Sequence, residues 1–238
     1  MVLIKKICPP ERRKATIAVS VSPSSPTLSI NNNQQDFQLR ISLRIAETTR
    51  PGQAITISTN GTVFAPLNPA GQVDTLSRGT VSLAAVVEPP VEGNLRRYIQ
   101  LGNFKTHEAR RESPPADLKE RPWVHLLTIP AEGSVEVAHD LPVSRIFRHE
   151  EKLTKEDVVG ESWRFRLNDG YVGTTWWCCG DLEGDLKEKR LSPWHEGMLS
   201  RSYGEPKPDV DDGWVLGCNP VELVFEDQTA GAEFQFVE

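Results

Sequence analysis

Two tryptophans, Trp176 and Trp177, run directly into two adjacent cysteines, Cys178 and Cys179, and three carboxylates follow at alternate positions: Asp181, Glu183 and Asp185. Thiols, acids and indoles at this density could build a metal site, a nucleophile, an acid–base pair or an aromatic wall. Each chemistry makes its own demand on spacing. Zinc sites usually separate paired cysteines by about two to four residues, because neighbouring side chains on an extended strand point to opposite faces. Vicinal cysteines fail that demand, even with Cys218 and His195 as further ligands. A calcium loop starting at Asp181 would need glycine at its sixth position and glutamate at its twelfth. The chain instead has Gly184 at the fourth and Ser192 at the twelfth. No metal is expected.

Nucleophile and cofactor signatures are absent as well. The sequence contains no G-x-S-x-G elbow, phosphate-binding P-loop, H-E-x-x-H, or G-x-G-x-x-G after a strand. No cofactor is expected. The candidates for acid–base chemistry are Asp181 and Glu183, with His195 in "SPWHEG" beside the tryptophans. Their competing reading is a solvated edge, since Lys187, Lys189 and Arg190 follow at once.

The aromatics are more informative. Of the 6 tryptophans, Trp176, Trp177, Trp194 and Trp214 cluster after Tyr171. On a strand Trp176 and Trp177 face opposite sides, and Tyr171 and Thr175 share the side of Trp177. Tyr171, Thr175, Trp176, Trp177, Trp194 and Trp214 are therefore the candidate ligand-binding residues, a mostly apolar wall with a few oriented hydroxyls. The same wall could anchor a protein partner. It could equally be a second small core in which the indoles fasten long loops.

The elements that must position these groups read as strands. In "FQLRISLRI", Phe37, Leu39, Ile41, Leu43 and Ile45 alternate with Gln38, Arg40, Ser42 and Arg44, which buries one face and wets the other. "TIAVSV", "AITIST", "GTVSLAAVV", "RRYIQL", "WVHLLTI", "SVEVAH", "SWRFRL", "VELVF" and "EFQFV" repeat the pattern between Pro- and Gly-rich connectors. Helix signals are thin. "LTKEDVV" can make one turn capped by Thr154, and "DLEGDLKEKRL" a short helix at most, capped by Asp181 and weakened by Gly184. Residues 103–122 and 197–213 are long polar excursions, of a length usually functional or disordered. The expected architecture is all-β: one antiparallel β-sandwich domain over 16–238, after an N-terminal extension 1–15, with a Trp-rich insertion at about 173–219.

Composition narrows the partners. The chain has 238 residues and a net charge of −6, which provides no basic footprint for nucleic acid. No stretch approaches the roughly 20 apolar residues that span a bilayer. The start, "MVLIKKICPPERRK", lacks the roughly 7–15-residue apolar core of a secretion signal. With 4 cysteines, two of them adjacent, a disulfide framework is not expected. These features together predict a cytoplasmic protein with no membrane or nucleic-acid partner.

Two resemblances extend this reading. "LTKEDVVGESWRFRLNDG" resembles the corner before a late strand of immunoglobulin-like and fibronectin type III domains, with Gly160, Trp163, Phe165 and Leu167 in the pattern. Trp163 stands where those families usually carry tyrosine, and an indole cannot make the hydroxyl bond of a tyrosine corner. "ERPWVHLLTIP", "RIFRHEEKLTKEDV" and "WWCCGDLEGDLKEKRLSPW" look like a family of uncharacterised filamentous-fungal proteins, over most of residues 16–226. That likeness implies a lone β-sandwich in an intracellular fungal setting and carries over no catalytic residues; with the corner resemblance, the expected sandwich is immunoglobulin-like. The resulting expectation is a binder of an apolar small molecule, acting if catalytic as a cofactor-independent cyclase or isomerase of fungal secondary metabolism, where a shaped pocket holds a reactive conformer. The alternative is a non-catalytic protein–protein interaction module.

Overall fold

The protein is seen in a computed structural model, which describes residues 8–32, 35–65, 74–86, 97–104, 115–122, 124–195, 213–228 and 232–238, and no side chains at 193–195. Among the described residues the early strands are β1 (Ala15–Pro23), β2 (Thr27–Ser29), β3 (Gln38–Thr48), β4 (Ile55–Ser58) and β5 (Val81–Ala85). There follow β6 (Tyr98–Gln100), β7 (Leu126–Ile129), β8 (Val135–Asp140), β9 (Ser162–Leu167) and β10 (Trp177–Cys179). The last are β11 (Arg190–His195), β12 (Trp214–Gly217), β13 (Leu223–Asp227) and β14 (Glu233–Val237). One α-helix, α1 (Val143–Ile146), and short 3-10 turns complete the described elements. The fold is all-β, as the period-two pattern predicts.

Four sheets form. One has the order β13-β1-β3-β8, and a larger one β2-β14-β9-β5-β6. A third, β10-β4-β7, and a ribbon of β11 with β12 complete the set. The purely antiparallel expectation needs correction. β1 runs parallel to β13, β2 to β14 and β11 to β12. Both ends of the described chain are thus held in sheets beside strands from the opposite end.

Packing follows from the alternation. Leu39, Ile41 and Leu43 of β3 are fully buried, while Arg40 and Arg44 are exposed. Their cluster also contains Leu83, Trp163, Phe165, Phe234 and Phe236 from the five-stranded sheet, so the two larger sheets share one core. Phe37, just before β3, lies 4.9 Å from Phe234 and 6.5 Å from Phe165, ring centre to ring centre. Such aromatic pairs add about 0.5–1.5 kcal/mol beyond their burial. The Trp163 indole N–H is buried without an acceptor among the described residues.

Two local expectations change. "LTKEDVV" forms only the 3-10 turn Glu156–Val158, and Thr154 is not the acceptor. The Asp157 carboxylate accepts from the Thr154 amide at 2.8 Å and from its hydroxyl at 2.9 Å. Those bonds hold the Asp157 carboxyl below its usual range. "DLEGDLKEKRL" forms consecutive turns instead of a helix, with Asp181 Oδ1 accepting from the Glu183 amide at 3.0 Å.

His139 on β8 is fully buried, with Nε2 2.8 Å from the Val63 carbonyl and Nδ1 without a partner. Burial pushes its pKa below the ordinary 6.5, outweighing the Val63 bond and the Asp140 charge, which pull upward. The unfolded chain therefore binds a proton near pH 6.5 that the folded protein still refuses. Stability is expected to fall as the pH drops through 6.5. Denaturation midpoints on either side of that pH should diverge in the wild type and converge in His139→Gln; an unchanged slope in the variant would place the titrating group elsewhere.

Candidate functional site

Strand β10 answers what the Trp–Cys segment does. It pairs with β4 in the register Trp177↔Ile57, Cys178↔Thr56 and Cys179↔Ile55, and Trp177 also bridges to Cys218. Alternation then sends neighbouring side chains to two different cores. Trp177, 1% exposed, enters the main cluster, and its indole N–H donates to the Asn219 carbonyl at 2.9 Å. Trp176 and Cys178 enter a second cluster with Leu118, Leu186 and Leu191. There the Trp176 indole N–H donates to the Ser192 carbonyl at 2.8 Å. A Cβ at position 217 would lie 2.1 Å from that indole nitrogen, so Gly217 is what lets β12 pass so close.

Two residues that the sequence reading missed close this second core. Asp117 Oδ1 accepts from the amides of Lys119 and Leu191, each at 3.0 Å. Lys119 Nζ donates to the carbonyls of Leu186 and Lys187 at 2.7 and 2.9 Å. They tie the 3-10 turn Leu118–Glu120 to the turns that follow β10. The signal available was "DLKE", an Asp cap with Glu three positions on, inside a stretch read only as polar.

The remaining candidates disperse. Tyr171, half-buried, ends a 3-10 turn and accepts from the Val63 amide through its carbonyl at 3.0 Å. Thr175 is half-buried, whereas Thr174 is the buried hydroxyl, 2.7 Å from the carbonyls of both Ser58 and Trp176. Trp214 is half-buried on β12 with the Arg190 guanidinium 5.5 Å from its ring centre. The side chains of Trp194 and His195 lie outside the described residues. Glu183 and Asp185 are exposed and Asp181 is half-buried.

The thiols are poorly suited to attack. Burial raises the pKa of Cys178, Cys179 and Cys218 above the ordinary thiol value, so each stays protonated at neutral pH. Cys8, Cys178, Cys179 and Cys218 are all free. Among the described residues, no group of three or more His, Cys, Asp or Glu side chains could hold a metal.

A different surface presents concave, chemically varied side chains. A groove of about 390 Å³ lies on the outer face of β9, β5 and β6, walled by Arg78, Tyr98, Gln100, Asn103, Arg166 and Asn168. Register builds it: Ser82 sits opposite both Gln100 and Arg166, and Ala84 opposite Tyr98, while Leu83, Ile99 and Phe165 point into the core. Two glycines close one end. A Cβ on Gly79 would lie 2.6 Å from the Gly102 carbonyl oxygen, and one on Gly102 would lie 2.1 Å from that of Ser77. The turn carrying Arg78 thereby presses against the chain leaving β6. Asp74 holds that turn, accepting from the Leu76 amide at 2.9 Å and pairing with Arg145 of α1. Arg166 lies over Tyr98, with Nη1 donating to its hydroxyl oxygen at 3.1 Å.

No protein-family model, curated protein or solved structure matches this chain. Among the described residues, no helix is long and apolar enough to cross a membrane.

Proposed function

We propose that the protein is a non-catalytic interaction module, built on a single immunoglobulin-like sandwich, that binds a segment of a partner protein in the groove over β9, β5 and β6. The shared core of the two larger sheets, with the cross-sheet contacts of Phe37, supports the sandwich. One observation carries the function: of the two exposed large apolar side chains among the described residues, Tyr98 and Phe104, Tyr98 lines this groove together with Arg78 and Arg166. Tyrosine and arginine are residue types that dominate binding hot spots. An aromatic pocket for an apolar metabolite, the requirement of a cyclase or isomerase, has less support. Trp176 and Trp177 pack into two separate cores and offer no common wall.

Peptides selected from an unbiased random library on the intact chain test this reading. Bound peptides should perturb the backbone amides of β5, β6 and β9, and Tyr98→Ala should weaken them about tenfold without lowering the melting temperature. Perturbations confined to β10–β12 would shift the site to the Trp-rich segment and overturn the proposal.

A further inference from the structure

Several of the described arginines pair with carboxylates. Arg97 pairs with Glu161, Arg164 with Glu233, and Arg145 with Asp74. The groove differs from these pairs: Arg78 and Arg166 line it, and no Asp or Glu does among the described residues. Among the described residues Arg166 meets Tyr98, through the hydroxyl and the ring. Arg78 is half-buried, and its Nε is fully buried with no acceptor among the described residues. An unmet buried donor costs about 1–3 kcal/mol, more when charged, so such a group stands out. Its guanidinium lies beside Gly61, 3.6 Å from where a Cβ would be.

We infer that the groove recognises an acidic peptide segment, with Arg78 taking a Glu or Asp carboxylate through its planar fork and Arg166 supplying the second positive charge. This rests on the reading of the groove as the recognition face. Arg is suited to the task because its donors match both carboxylate oxygens at once. The other walls fit a peptide. Gln100 and Asn103 can bond a peptide backbone, and Tyr98 offers an apolar face to a neighbouring side chain. Inorganic phosphate would engage the arginines and leave these three without a role.

The test is fluorescence anisotropy of the full chain with a labelled peptide of alternating Glu and Thr, its Gln–Thr counterpart, and inorganic phosphate as competitor. The Glu peptide should bind at least tenfold tighter than the Gln peptide. Its affinity should fall steeply with salt and drop about tenfold in Arg78→Gln. Asn103→Asp, an exposed substitution that puts a carboxylate in the groove, should abolish the preference for Glu while leaving the melting temperature unchanged. Equal binding of both peptides, or binding of neither, would overturn the inference, as would a preference that survives Asn103→Asp. Displacement by phosphate at concentrations where chloride has no effect would reassign the site to a phosphate ligand. If library selection yields neutral peptides on this face, the interaction reading stands and only the acidic class fails. If selection yields nothing on this face, both fail.

Discussion

Trp177→Ala lowers the unfolding free energy by about 3–5 kcal/mol, the range for deleting a buried tryptophan. The indole is 1% exposed and belongs to the cluster that joins the two larger sheets. Its loss opens a cavity and leaves the Asn219 carbonyl without the 2.9 Å bond. That carbonyl opens the 3-10 turn Pro220–Glu222, which leads into β13, so the damage should spread to the β1–β13 pairing. Trp176→Ala should behave differently. Its cluster is small, and its loss should free the turns at 181–189 and the β11–β12 ribbon while β1, β3 and β9 keep their hydrogen-exchange protection. Urea denaturation with residue-resolved exchange separates the two variants. Equal, global loss of protection in both would mean that the two clusters unfold as one unit; a cost for Trp177→Ala below about 1 kcal/mol would contradict its place in the main core.

Gly102→Ala is expected to cost about 3 kcal/mol, the upper end for overpacking, because the obstacle is backbone. The added methyl would meet the Ser77 carbonyl oxygen at 2.1 Å and its carbon at 2.4 Å. No rotamer change can relieve that. The turn Leu76–Arg78 would have to move away from the chain after β6, breaking the 3.0 Å bond from the Phe104 amide to the Ser77 carbonyl. Arg78 would move with it, so peptide binding in the groove should disappear along with the stability. Gly52→Ala is a contrasting case: nothing lies within 4 Å of its Cβ position, and only its φ of +76° opposes the change. Comparing the two melting temperatures isolates the close approach from left-handed backbone strain. A Gly102→Ala protein no less stable than Gly52→Ala would show that the two segments do not press together.

The candidate site was legible only in its local geometry. Period two in "TTWWCC" tells that Trp176 and Trp177 part to opposite faces, and they do. It cannot tell which indole meets the main core. That depends on β10 pairing with β4, over a hundred positions earlier in the chain. Asp117 was hidden for the same reason, since its acceptor role toward Leu191 spans 74 positions. The groove was less legible still. Arg78, Tyr98, Gly102 and Arg166 come from separate turns and strands, and none of them carries a local motif.

The amino-acid sequence by itself determined the all-β class and the buried face of β3, because alternation is a property of one extended backbone and needs no partner. Tertiary structure alone decided the parallel pairings of β1 with β13 and β2 with β14. It also decided the division of the Trp–Cys segment between two cores and the meeting of Arg78 and Arg166 in one groove. Those are choices of neighbour across long stretches of chain. They are made by which apolar faces bury one another best, a free energy that belongs to the packed molecule and to no segment of it.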